Sequence, residues 1–121
     1  MCDDPRVDRE ELLKRRIKKF ARERRWEKFH TPKNLAMAMV KEAAEVVEIF
    51  QWLTPAQSRR LSADARAALA HELADTYVYL RKIADAYGID LIEASLAKMK
   101  KNELKYPAAL NQGRVVKPRR R

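Results

Sequence analysis

The stretch that decides the fold is Lys41-Glu42-Ala43-Ala44-Glu45-Val46-Val47-Glu48-Ile49-Phe50-Gln51-Trp52. A later stretch answers it, His71-Glu72-Leu73-Ala74-Asp75-Thr76-Tyr77-Val78-Tyr79-Leu80. Both read as helix, and each sets two acids at i and i+3, a spacing that puts them on one face. Glu42 and Glu45 therefore point the same way, as do Glu72 and Asp75. The first helix carries Ala38, Ile49 and Trp52 on or beside its acidic face. Its other side holds Leu35, Met39, Val40, Val46, Val47 and Phe50, so the polar remainder is only Lys41, Glu48 and Gln51. A helix that is apolar nearly all round is expected to be buried. Carboxylates inside such a surface are costly unless they are paired or bind a metal.

Outward from these helices the chain punctuates itself. Asp8 followed by Glu11 resembles a capping box and starts a helix predicted to run to about Trp26, with Leu13, Ile17, Phe20 and Ala21 inward. The outer face of this helix is densely basic. Thr31-Pro32 fits N-cap and N1 of the second helix, which runs through Trp52. Thr54-Pro55 breaks it, and residues 55–61 read as a loop or short helical turn. Ser62 or Asp64 caps the third helix, predicted to reach Tyr87 with Gly88 as its left-handed stop. Asp90 with Glu93 opens a fourth, which carries Ile92, Leu96 and Met99 inward and ends near Tyr106-Pro107. The expected architecture is all-α, a four-helix bundle over residues 1–107, with a basic, disordered tail over 108–121. A link of about ten residues between the second and third helices allows antiparallel packing, which would bring the four acids together.

Composition agrees with a helical domain. The chain has 121 residues, only two glycines and a formal net charge of +10. That length suits one domain burying roughly two-thirds of its unfolded surface, with room for help from a partner subunit. The positive charge fits either solubility or attraction to a polyanion such as a nucleotide, and charge alone does not separate these. The single cysteine, Cys2, cannot form an internal disulfide, which suits a reducing compartment. No run resembles a signal peptide or approaches the ~20 apolar residues of a membrane span. The expected location is cytoplasmic, with no membrane partner.

Four converging carboxylates would repel one another unless cations or protons relieve them. Oxygen-only ligation favours Mg²⁺, or Mn²⁺, over zinc. A di-iron centre would want Glu-x-x-His motifs, and neither acid pair is followed by a histidine three residues on. Mg²⁺ bound by carboxylates commonly completes its shell with substrate phosphates, which points to phosphoanhydride chemistry. The competing reading is a set of surface acids in ordinary helical ion pairs, of which Lys41 with Glu45 is one. Lys98, Asn102 and Lys105 share a face of the fourth helix and could contact phosphate and sugar or simply face water. Trp26 and Trp52 could stack on a base or fill the core. His30, in a loop, could bind an anion or cap a turn.

Taken in order, these residues resemble the all-α nucleoside triphosphate pyrophosphohydrolases of the MazG-like group, most closely the dCTP pyrophosphatase branch. The likeness rests on Glu42-Ala-Ala-Glu45 and Glu72-Leu-Ala-Asp75. It extends to Trp26-Glu-Lys-Phe-His30-Thr-Pro-Lys-Asn34, Glu48-Ile-Phe-Gln-Trp52, and Lys98-Met-Lys-Lys-Asn102 before Lys105-Tyr106-Pro107, covering roughly residues 10 to 108. The resemblance implies Mg²⁺-dependent hydrolysis of a (d)NTP, a pyrimidine dNTP such as dCTP or a modified form, to the monophosphate and pyrophosphate. Glu42, Glu45, Glu72 and Asp75 would be the catalytic metal ligands. By the same likeness Trp26 and Trp52 would flank the base, Tyr79 would line the sugar pocket, and Lys98 and Asn102 would meet phosphate or sugar. It further implies a homotetramer, or at least a dimer, with pockets shared between subunits. The alternatives are a dimeric dUTPase-like activity on the same scaffold and a basic helical nucleic-acid-binding module. The second leaves the acids without a role, so nucleic acid is not an expected partner.

Overall fold

The computed structural model describes residues 8–116. Cys2 and the terminal Pro118-Arg119-Arg120-Arg121 run lie outside them. Among the described residues every regular element is helical and none is a strand. The chain divides into two compact units, through Tyr87 and from Gly88 onward. No helix is long and apolar enough to cross a membrane among the described residues.

The first unit is built on three long helices, α1 (Arg9–Glu23), α2 (Pro32–Phe50) and α4 (Ala63–Ala86), with a short α3 (Pro55–Ser58) between the last two. Each start has a chemical cause. The Asp8 carboxylate accepts from Glu10 N at 3.0 Å. This is a simple N-cap on the N2 amide and not the capping box expected of Asp8 with Glu11, since among the described residues no bond returns from the Glu11 side chain to Asp8 N. Thr31 Oγ1 accepts from Asn34 N at 3.3 Å with Pro32 at N1. Ser62, rather than Asp64, caps α4, accepting from Ala65 N at 3.1 Å. The Thr54-Pro55 break proves to be a helix start in its own right: Thr54 and Gln57 exchange the two bonds of a full capping box, which fixes α3. Helix ends fall within a few residues of expectation. α1 stops at Glu23 because Arg25 enters the left-handed region at φ 54° and turns the chain into a 3₁₀ turn over Glu27–Phe29.

α2 and α4 form the principal pair, and α1 lies more lightly on α4. The pair is antiparallel: Glu45 meets Glu72 in mid-helix, while His30, just before α2, meets Lys82, near the end of α4. Ile17 and Ala21 of α1, Leu35 of α2 and Ala84 of α4 are buried where the three helices converge. Phe20, expected inward, is largely exposed. Its ring meets Trp26 edge-on at 5.7 Å and carries the Arg24 guanidinium over its face. α1 is fastened at its start by Glu10, which accepts from Tyr77 Oη at 3.1 Å and pairs with Arg81. The Arg81 side chain is only 11% exposed and has Asp85 as its second acid, at 3.9 Å.

The second unit holds α5 (Leu91–Lys105) and a 3₁₀ turn at Ala108–Leu110. Gly88, at φ +63°, supplies the left-handed residue after α4, and the Asp90 carboxylate accepts from Glu93 N at 3.0 Å to start α5. Asn111 ties the chain beyond α5, donating to the Pro107 carbonyl at 2.8 Å and accepting from Val116 N.

Two expectations about burial are corrected. α2 was to be buried, yet Met37, Val40 and Val47 are each at least 60% exposed. Ile92, Leu96 and Met99 of α5, expected inward, are more than half exposed. Periodicity marks the face a helix would bury but not whether one chain contains the element to bury it against.

The Glu10–Arg81 bond is the main polar tie between α1 and α4. Replacing Glu10 with Ala leaves a nearly buried guanidinium with one distant acid. It should lower unfolding stability by ~1–3 kcal/mol, read as a lower denaturation midpoint at unchanged m-value.

Candidate metal centre and adjoining cavity

Glu42 and Glu45 project from the middle of α2 and Glu72 from the middle of α4, where the two helices face each other. One carboxylate oxygen from each lies within 4.8 Å of the other two. All three side chains are half-buried. Glu72 Oε2 is shielded from solvent and has no hydrogen-bond partner. Thr76 Oγ1 donates to the Glu72 carbonyl at 2.8 Å, so the hydroxyl beside the cluster is already used by the backbone. Asp75 stands outside the three-oxygen group, but its charge reaches both Glu42 and Glu72.

The electrostatics follow from this crowding. The Glu72 carboxyl is pushed up to about 7, chiefly because in its protonated form it donates to Glu45. Desolvation and the charges of Glu45, Glu42 and Asp75 add to this. Glu42 is raised by desolvation, then by its bond to Glu45 and the charges of Glu45 and Asp75. Glu45 is lowered, because it accepts from Glu72 and Glu42. The acids therefore titrate as a set that holds a proton near neutrality. A divalent cation would do the proton's work with twice the charge. The all-oxygen donor set and the unpartnered Glu72 oxygen fit a hard ion.

The ion-pair reading is also present in part. Lys41 Nζ lies 3.8 Å from Glu45 Oε1, with the lysine largely exposed. Such a pair is worth little, and it accounts for neither Glu42 nor Glu72. Glu48 is exposed.

Beside the acids is a cavity of about 360 Å³ lined by Arg16, Ile17 and Phe20 of α1, by Trp26 and His30, and by Asp75, Val78, Tyr79 and Lys82 of α4. Asp75 lines the cavity wall and lies within electrostatic reach of Glu42 and Glu72. Trp26 and Tyr79 are thus brought together with it. Trp52 is not: it follows α2 in a turn and is 87% exposed. Lys98 and Asn102 lie on α5 of the second unit, the lysine exposed and the asparagine half-buried. Sequence reasoning passed over Lys82. Its position three residues after Tyr79 and seven after Asp75 was the available signal, since those spacings share a helix face.

Comparison with known proteins places this geometry. A model of the MazG-like family matches residues 37–115, which include all four acids. The chain belongs to the MazG-like family. It is 43% identical over 102 residues to dCTP pyrophosphatase 1 of Homo sapiens, covering 83% of this chain and 60% of that protein. With the Rattus norvegicus dCTP pyrophosphatase 1 it is 39% identical over 109 residues, 88% of this chain and 64% of that one. The chain thus spans less than two-thirds of the length of these curated relatives. A solved pyrophosphatase from Archaeoglobus fulgidus DSM 4304 superposes with a TM-score of 0.78 at 38% identity, covering 84% of this chain and 94% of that chain.

The raised Glu72 carboxyl makes stability depend on pH. The folded metal-free protein binds the proton more tightly than the unfolded chain, so folding is favoured at low pH. Stability should fall as pH rises from the ordinary 4.5 toward about 7. Melting temperatures in EDTA should show this fall relative to Glu72→Gln, which lacks the titrating group, and excess Mg²⁺ should remove it above pH 7.

Proposed function

We propose that the protein is a Mg²⁺-dependent nucleotide pyrophosphohydrolase, which converts a (d)NTP to the monophosphate and pyrophosphate. A pyrimidine dNTP such as dCTP, or a modified form, is the proposed substrate. The observation that carries this reading is the gathering of Glu42, Glu45 and Glu72 oxygens within 4.8 Å. The cavity that shares Asp75 supports it, as does the family membership.

Glu42, Glu45, Glu72 and Asp75 would hold Mg²⁺, or Mn²⁺. When bound there, such an ion would supply neutralisation of phosphate charge and a more acidic water. The chain's own groups do the rest. Glu45 stays ionised as the hydrogen-bond acceptor for Glu72 and Glu42, which hold the proton in the absence of a metal. Trp26 offers a ring for the base, Tyr79 lines the sugar side, and Ile17 and Val78 exclude water from the slot. Lys98 and Asn102 are proposed to contact phosphate or sugar, and Trp52 to flank the base. For these three the support is the resemblance alone. Residues 1–107 are taken as the catalytic domain and 108–121 as an appended basic tail. A cytoplasmic location suits the single cysteine and the nucleotide substrate.

The same reading takes the working enzyme to be a homo-oligomer built on four-helix bundles, a tetramer or dimer. Exposed apolar residues support this: Met37, Val40 and Val47 on α2, Leu73, Tyr77 and Leu80 on α4, and Ile92, Leu96 and Met99 on α5. Within each helix these residues recur at spacings of three, four or seven positions and so share one face, and an exposed apolar stripe of that kind marks an interaction surface. Trp52 is free to be covered, or used, by a neighbouring subunit. Light scattering after size exclusion should give a mass two or four times the 14.2 kDa of one chain. Val47→Lys should shift it toward the single-chain value.

Incubation of a dNTP and modified-dNTP panel with Mg²⁺ tests the chemistry. Pyrophosphate should be released, and Glu45→Gln should cut turnover roughly 100-fold or more with the helical circular dichroism retained. Orthophosphate, or no turnover with any nucleotide, would reject the reading.

A further inference from the structure

We propose that Lys82, held in place by His30, reads the acceptor edge of the nucleobase in the 360 Å³ cavity and makes it prefer cytosine over thymine and uracil. The inference rests on the nucleotide-binding reading above and adds to it the group that discriminates among bases.

Lys82 lies on the same face of α4 as Asp75 and Tyr79, so its side chain enters the wall that runs on from the acidic cluster. Its ammonium lies 2.7 Å from His30 Nδ1. Among the described residues no carboxylate comes within 4.0 Å of it to form an ion pair. Half-buried lysines usually reach water or an acid. This one instead spends a proton on a neutral ring, and burial pulls its pKa down.

The bond fixes the states of both partners. An ammonium has three donors and no acceptor, so His30 Nδ1 must accept and the ring proton must sit on Nε2. Burial, then the Lys82 charge, lower the His30 pKa and keep the ring neutral. The Trp26 ring meets the imidazole edge-on at 6.4 Å and 72°, which restrains its orientation. Among the described residues the other two protons of Lys82 meet no partner. The residue borders the aromatic cavity on one side and a second cavity of about 550 Å³ on the other, with Ile17 and His30 common to both walls.

A cation with spare donors at the rim of an aromatic slot selects for adjacent acceptors. Cytosine presents them as O2 and N3. Thymine and uracil interpose an N3–H, a donor set against a donor. The mismatch leaves a half-buried group unpaired, and discrimination of this type is strong because the cost falls on the wrong ligand.

The test uses the full chain with Mg²⁺ and measures binding of deoxynucleoside monophosphates by calorimetry, so that no turnover is needed. Wild type should bind dCMP about tenfold more tightly than dTMP or dUMP. It should also bind 3-deaza-dCMP, which lacks the N3 acceptor, about tenfold more weakly than dCMP. In Lys82→Met both differences should shrink toward one. Lys82→Arg, which keeps the charge and donors, should retain most of the preference. A lysine that only braces the fold would alter all ligands alike and leave the 3-deaza penalty intact, and that result overturns the proposal. So does a wild type that binds dCMP and dTMP equally, or neither. The 3-deaza comparison on wild type stands even if Lys82→Met fails to fold. If dCMP is preferred in this way but dCTP releases no pyrophosphate, the hydrolase reading falls and the base-reading role of Lys82 survives.

Discussion

Mutual repulsion of carboxylates across the α2–α4 seam is the constraint on which the rest of the molecule depends. Packing two helices through their acidic faces is unfavourable, and the chain accepts it in the middle of its principal helix pair. The cost is visible in the Glu72 carboxyl, pushed up to about 7, and in its shielded, partnerless oxygen. Such a seam is tolerable with a shared proton or a divalent ion, and it loses its rationale without either. The surrounding structure serves to hold that seam in register. Caps at Thr31 and Ser62 set where α2 and α4 begin. The capping box at Thr54 and Gln57 shapes the link between them.

Placement of the acids beside an aromatic cavity joins a charged region to an apolar one. Asp75 lies on the cavity wall and within electrostatic reach of Glu42 and Glu72. A ligand with a flat ring at one end and phosphates at the other would satisfy both regions at once. Lys82 and His30 extend the same logic. They stand beyond Tyr79 along the wall that begins at Asp75, and they add donors where the aromatic side chains offer only surface. Among the described residues the core is thin, with only Ile17, Ala21, Leu35 and Ala84 buried among the apolar side chains, which suits a scaffold that would complete its packing in the proposed assembly.

Much of this was legible in the sequence because helical periodicity is a local property. Glu42 with Glu45, and Glu72 with Asp75, announce their shared faces through spacing alone. Thr31-Pro32 and Gly88 mark helix limits through backbone chemistry that needs no tertiary context. What escaped was whatever depends on distant residues. Glu10, next to the Asp8 and Glu11 that marked the helix start, drew no reading from the sequence and is the acid for Arg81, some 71 residues away. The link between His30 and Lys82 spans 52 residues. Burial of α2 was overestimated for the same reason: an apolar face predicts contact without naming the surface that makes it, and among the described residues Met37, Val40 and Val47 stay exposed. Trp52 shows the limit most clearly, since its motif implied a place beside the base and the isolated chain leaves it in solvent.

The central claim is that Glu42, Glu45 and Glu72 form one site that exchanges a proton for a divalent cation. Calorimetric titration of Mg²⁺ into the nucleotide-free protein at pH 7, repeated in buffers of different ionisation enthalpy, tests it most directly. With Glu72 near its midpoint, binding should release about half a proton per ion, and Glu72→Gln should abolish that release. Binding that liberates no proton, or that is unchanged by the substitution, would contradict the account.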